Sequence, residues 1–115
     1  MTNITLYHNP RCSKSRQALS LLQEKGIEPT TINYLEQPLD ASGLDALLEM
    51  LDVEPAMLLR KKEAQYGEAG LSAGSDRAAI IAAIVRFPKL MERPVAVAGG
   101  RAVLGRPPER VLELL

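Results

Sequence analysis

NITLYHNPRCSKSRQALSLLQEKGIEPTTINYL, residues 3–35, is the stretch that decides the fold. Residues 3–7 alternate apolar and polar and read as a first strand. A short loop from His8 to Arg11 follows and contains Pro10. Residues 13–26 then carry Ala18, Leu19, Leu21 and Leu22 on one side at helical spacing, with Gly26 after Lys25 as a C-terminal helix signal. Glu28-Pro29 leads into TTINYL, rich in β-branched residues, which reads as a second strand. Strand, helix and strand in this order form a right-handed crossover, which makes the two strands parallel neighbours in one sheet.

Outward from this opening the chain turns helical. Asp40 is placed to cap a helix with inward Leu44, Leu47, Leu48 and Leu51. Glu54-Pro55 starts a short helix carrying Met57, Leu58 and Leu59. Residues 61–76 are polar, hold Gly67, Gly70 and Gly74, and read as loops around short helical turns. Ser75 or Asp76 then opens a helix through Ala79, Ile80, Ala83, Ile84 and Phe87. Beyond Arg93-Pro94, VAVAGGRAVLG predicts two short strands joined at Gly99-Gly100, and Pro107-Pro108 begins a last helix with Val111, Leu112 and Leu115. The order is βαβ, three helices, ββ, α. No repeat, linker or low-complexity segment interrupts it, so residues 1–115 are expected to form a single domain with a helical insertion over roughly 38–90.

Composition narrows the function. Of 115 residues 46% are hydrophobic but only 3% aromatic, so the core is aliphatic. Fourteen basic residues balance fourteen acidic ones, which argues against nucleic acid as the main partner, because phosphate binding demands a cationic surplus. The N-terminus lacks the basic and apolar regions of a signal peptide, and no apolar stretch approaches a membrane span. With one cysteine no internal disulfide framework forms. These features predict a soluble, cytoplasmic protein without membrane or nucleic-acid partners. One Cys and one His also cannot make a zinc site, so no metal is expected.

That cysteine, Cys12, sits where the first strand hands over to the first helix. A lone cysteine is most often a small buried hydrophobe. Pro10, Arg11, Ser13 and Lys14 are poor company for such a residue. A helix N-terminus presents unpaired N–H groups and a positive dipole end, which favour thiolate over thiol and cradle an oxyanion. Arg11, Arg16 and His8 lie close in sequence. Ser13 and Ser15 add hydroxyls, although serines there are first of all helix-capping residues, and Asn9 adds an amide. Nucleophile and anion site coincide.

The decapeptide Tyr7-His8-Asn9-Pro10-Arg11-Cys12-Ser13-Lys14-Ser15-Arg16 resembles the signature of the arsenate reductase (ArsC) family, which is thioredoxin-like. The resemblance continues through Asn33-Tyr34-Leu35-Glu36, Leu58-Leu59-Arg60-Lys61, Glu92-Arg93-Pro94 and Gly105-Arg106-Pro107-Pro108, in the right order. The chain stops at Leu115 and is closest in length to a shorter group of that family. The resemblance implies an α/β thioredoxin-like fold with a mixed sheet of about four strands, the helical insertion separating a βαβ start from a C-terminal ββα. It also implies that Cys12 is the reactive cysteine and that His8 helps to keep its thiolate. Arg60, Arg93 and Arg106 would bind the oxyanion adduct, and Pro94 would be the cis-proline beside the site.

The implied reaction reduces arsenate to arsenite through a covalent Cys12 adduct, with glutathione as co-substrate, glutaredoxin as resolving partner and no tightly bound cofactor. The sequence independently calls for an outside thiol. A two-electron reduction must leave a disulfide, and Ser15 stands where a Cys-x-x-Cys pair would have its second sulfur. Two rival readings share the fold: a general glutathione-dependent thiol reductase or reductase of another oxyanion, and a non-enzymatic, Spx-like regulator that binds RNA polymerase. Many such regulators carry the Cys-x-x-Cys switch that this chain lacks.

Overall fold

The computed structural model describes residues 3–115. Thr5–His8 form β1, Ser13–Glu24 form α1 and Thr30–Asn33 form β2. β1 and β2 pair in parallel, Thr5 opposite Thr30 through His8 opposite Asn33. Between them α1 ends as its sequence predicts: Gly26 adopts φ +79°, and the Ile27 and Gly26 N–H groups donate back to the Leu22 and Gln23 carbonyls. The second strand is shorter than TTINYL, because the chain turns at Asn33, whose carbonyl accepts from both Glu36 and Gln37 N–H.

Val95–Ala98 form β3 and Arg101–Leu104 form β4. Gly99 and Gly100, at φ +56° and +78°, supply the two left-handed residues that a tight hairpin requires. β3 lies antiparallel to the far side of β1, giving a mixed sheet of order β2-β1-β3-β4. Ala18 and Leu22 of α1 are fully buried with Ile4, Leu6, Ala96, Val103 and Val111. Each large aliphatic side chain removed from water there contributes about 1.5–3 kcal/mol before entropy is counted. This is the α/β, thioredoxin-like arrangement expected from the sequence.

The C-terminal segment departs from expectation. Pro108–Leu114 is a 3-10 helix, not an α-helix, and Leu115 is exposed. Two prolines open the segment without N–H donors, and its buried residues, Pro108 and Val111, are three apart, which a three-residue turn stacks on one face.

The chain divides into two compact units: Arg93–Leu115 with the chain up to Gln37, and Pro38–Glu92. In the second unit Ala41–Leu51 form α2, Ala64–Glu68 form α3 and Arg77–Arg86 form α4, with 3-10 turns at Pro55–Leu58 and Pro88–Leu90. Asp40 caps α2 by accepting from Gly43 N–H at 2.7 Å. Asp76 rather than Ser75 caps α4, accepting from Ala79 N–H at 2.9 Å, while Ser75 Oγ accepts from Ser72 N–H. Leu44, Leu47, Leu48 and Leu51 are buried as their spacing requires. On α4 the buried face is Ile80, Ile81, Ala83 and Ile84; Ala79 is exposed and Phe87 half-buried. Met57 is likewise exposed, and its neighbours Leu58 and Leu59 are buried.

Candidate active site

β1 ends at His8 and α1 starts at Ser13, so residues 9–12 must turn the chain within four residues. Asn9 organises that turn. Its carbonyl accepts from Cys12 N–H at 3.0 Å, its side-chain Oδ1 accepts from Arg11 N–H at 3.0 Å, and its own N–H donates to Ser15 Oγ at 3.1 Å. Arg16 reaches back from α1 and donates through Nη1 to the Pro10 carbonyl at 2.9 Å. The loop is therefore held by its own hydrogen bonds before any ligand is considered.

Cys12 is the N-cap residue of α1, in extended conformation at φ −93° and ψ 123°, with its carbonyl already accepting from Arg16 N–H at 3.0 Å. Its side chain closes no cap hydrogen bond of normal geometry, yet the field around the sulfur is favourable to charge. Burial pushes the thiol up. The Ser15 N–H, the Arg93 charge, the Lys14 N–H and donation from the Arg93 side chain together outweigh burial and hold the thiol below its ordinary value.

Ser15 occupies a fully buried position on α1 and His8 is only 8% exposed. His8 Nδ1 lies 2.6 Å from Ser15 Oγ. Ser15 Oγ also accepts from Asn9 N–H, so the one hydroxyl ties the end of β1 to the first turn of α1. Burial, and secondly the Arg16 charge, lower the His8 pKa and keep the ring neutral near pH 7. His8 thus brings no positive charge to the sulfur. It fixes Ser15, whose N–H faces the sulfur, and it does so through a buried polar bond that neither residue's spacing announces. The Ser15 hydroxyl and the Asn9 carboxamide oxygen are engaged within the loop, whereas Ser13 is exposed on the first turn.

Arg93 immediately precedes Pro94, and the peptide between them is cis, as is Arg106-Pro107. Arg106 Nη1 donates to the Arg93 carbonyl at 3.1 Å. Two arginines distant in sequence are thereby brought to one end of β3 and β4, with Arg93 acting on Cys12. Gly105 makes this approach possible. Its N–H donates to the Pro94 carbonyl at 2.8 Å, and a Cβ there would stand 2.6 Å from Pro94 Cγ and 3.1 Å from Val111 Cγ1. The sequence offered only a glycine ahead of an Arg-Pro-Pro run as its signal.

Arg60 belongs to the 38–92 unit. It follows the Pro55–Leu58 turn, its N–H donates to the Leu90 carbonyl at 2.8 Å, and its guanidinium pairs with Glu63 and, at 3.9 Å, with Glu92. Sequence reasoning missed both carboxylates, although Glu63 stands at the i+3 spacing that helps such pairs. Among the described residues no group of three or more His, Cys, Asp or Glu is placed to hold a metal ion. No described helix is long and apolar enough to cross a membrane.

The sequence profile of the ArsC family matches residues 7–114, which take in the Cys12 loop and all three arginines. The chain belongs to the ArsC family. It is 52% identical over 114 residues to the YfgD protein of Escherichia coli strain K12, covering 97% of this chain and 96% of that protein. It is 43% identical over 117 residues to a Neisseria meningitidis protein named arsenate reductase, covering the whole of both. A solved structure described as arsenate reductase from Vibrio cholerae matches with a TM-score of 0.94 at 43% identity, over 99% of this chain and 98% of that one. In this ArsC-family chain a half-buried thiol, helix N–H groups and a guanidinium share one place. That combination suits attack on a tetrahedral anion: donors that stabilise the thiolate are also those an oxyanion needs.

Proposed function

We propose that this ArsC-family protein reduces arsenate to arsenite, with Cys12 as nucleophile, glutathione as co-substrate and glutaredoxin as the protein that restores the thiol. The observation that carries this reading is the Cys12 thiol held below its ordinary pKa by Ser15 N–H and Arg93, in a chain 43% identical to a protein named arsenate reductase.

In this reading the Cys12 thiolate attacks arsenic and a sulfur–arsenic bond forms as one oxygen leaves, protonated, as water. Glutathione then joins the adduct. A sulfur–sulfur bond forms while the sulfur–arsenic electron pair passes to arsenic, so that As(V) becomes As(III) and two thiols are oxidised together. Glutaredoxin takes the glutathionyl group by thiol–disulfide exchange, and arsenite is released. Arg93 and Arg106 offer fixed guanidinium donors to the anion, and Arg60 is assigned as the third. No tightly bound cofactor enters the cycle, and the need for a reduced single thiol fits a cytoplasmic site of action.

The test couples arsenate, glutathione, glutaredoxin and glutathione reductase and follows NADPH. Arsenate-dependent oxidation that disappears in Cys12→Ser supports the reading. Turnover on glutathione mixed disulfides with none on arsenate would replace it with a general thiol reductase. Protection of Cys12 from alkylation by arsenate checks the anion site separately.

A further inference from the structure

Arg60 is furnished with more negative charge than an anion receptor needs. Its guanidinium donates from Nη1 to Glu63 Oε1, and its Nε lies 3.9 Å from Glu92 Oε1, so one cation is answered by two carboxylates. Backbone bonds fix these residues to one another. Arg60 N–H donates to the Leu90 carbonyl at 2.8 Å, Glu92 N–H donates to the Leu58 carbonyl at 2.7 Å, and Leu59 bridges to Met91 between them. Glu63 N–H donates to the Arg60 carbonyl at 3.2 Å. Glu63 is also the N-cap residue of α3, yet its carboxylate makes no cap hydrogen bond and turns to Arg60 instead. The Arg60 and Glu63 side chains are 28% and 21% exposed, so water screens the pair only in part. Of the five N–H donors on a guanidinium, one is hydrogen-bonded among the described residues, which leaves donors for an outside acceptor.

We propose that Glu63 is a specificity-determining residue: beside Arg60 it admits a tetrahedral oxyanion that carries a proton and turns away one of equal charge that carries none. The inference rests on the reading above in which Arg60 receives the oxyanion, and adds to it a basis for selection. An ionised carboxylate only accepts hydrogen bonds. An anion oxygen seated on Arg60 next to Glu63 therefore meets a second acceptor on the same planar fork. Two such oxygens repel unless one bears a hydrogen, and a hydroxyl on the anion turns that repulsion into a charge-assisted hydrogen bond. Arsenate and phosphate keep a hydroxyl in mildly alkaline water, where each is a dianion. Sulfate has the same charge and the same tetrahedral shape but no hydroxyl. The site rejects sulfate by setting Glu63 against a bare oxygen, and a mispaired polar group discriminates more steeply than a small difference in size. Phosphate meets no such barrier.

The test measures how well phosphate and sulfate protect Cys12 of the reduced, full-length protein from iodoacetamide in mildly alkaline buffer, so turnover does not enter. The parent is expected to need at least about tenfold more sulfate than phosphate for half-protection, the worth of one hydrogen bond to a charged group. In Glu63→Gln the ratio should fall toward parity, chiefly through tighter sulfate, because the amide can donate to a bare oxygen. Glu63→Asp, which retains the acceptor, should keep part of the preference, an order that a purely structural ion pair would not produce. Equal protection by the two anions in the parent, or an unchanged ratio in Glu63→Gln, overturns the proposal and leaves Arg60 as an anion donor. Protection by neither anion overturns it as well, and if arsenate-dependent NADPH oxidation is also missing, the function proposed above falls with it. A collapsed ratio in a protein inert toward arsenate keeps the role of Glu63 and removes arsenate as substrate.

Discussion

The three longer helices of this protein begin in two different ways. α2 and α4 open on Asp40 and Asp76, whose carboxylates each accept a main-chain N–H of the first turn. α1 opens on Cys12, whose sulfur closes no such bond. Every helix start leaves N–H groups without intrahelical partners. At α2 and α4 one of these groups is satisfied by aspartate and serves stability. At Cys12 they face a polarisable atom of variable charge, so the same dipoles are left to lower a thiol pKa and to receive an anion. The reactive helix start is the one whose capping was left incomplete.

Replacing Cys12 by aspartate would convert α1 into a helix of the α2 type. Cys12→Asp should lose all turnover in the NADPH-coupled assay while gaining up to about 1 kcal/mol in urea unfolding, the usual worth of a good N-cap. Retained turnover would break the contrast at once. Ser15→Ala comes next: it strands His8 Nδ1 and Asn9 N–H in a buried place, and a loss of about 1–3 kcal/mol is expected by the same unfolding measurement. Asp40→Ala and Asp76→Ala should each cost about 1 kcal/mol and leave the pH midpoint of Cys12 alkylation where it was. Arg93→Ala sharpens the comparison from the other side, since the alkylation midpoint should move up toward that of free cysteine.

The smallest effect is on pH dependence. His8 has a lower pKa folded than unfolded, so the folded chain binds fewer protons around and below about pH 6.5. Its contribution to stability is present above the unfolded value and is lost as pH falls through the folded one. Unfolding free energy measured between pH 7.5 and 5.5 should therefore decline on acidification, and His8→Gln should flatten that slope.

Much of this was legible because it is local. The β1-α1-β2 opening follows from alternation, helical spacing and one glycine, and the hairpin from Gly99-Gly100. Asp40 was readable as a cap because a cap acts within three residues. β3 pairing between β1 and β4 was not readable from residues 93–104, since ladder partners are chosen across the whole chain. Ala79 and Ile81 exchanged places because α4 is apolar nearly all round and its sequence does not say which face turns inward. The neutral state of His8 depends on burial beside Ser15 and on Arg16, and a motif carries neither. The Cys12 loop could be located as the candidate site from strand, helix and arginines, but not the route by which His8 acts on it.

Gly105 has a consequence of another kind. With no side chain of its own, it sets the gap between the backbones that carry Arg93 and Arg106. A single methyl added there would work as a wedge, shifting two cations relative to the sulfur while leaving every ionisable group in the chain intact. Chemistry at this site is thus tuned by an atom that is missing, and an inventory of reactive residues would overlook the position where the tuning is done.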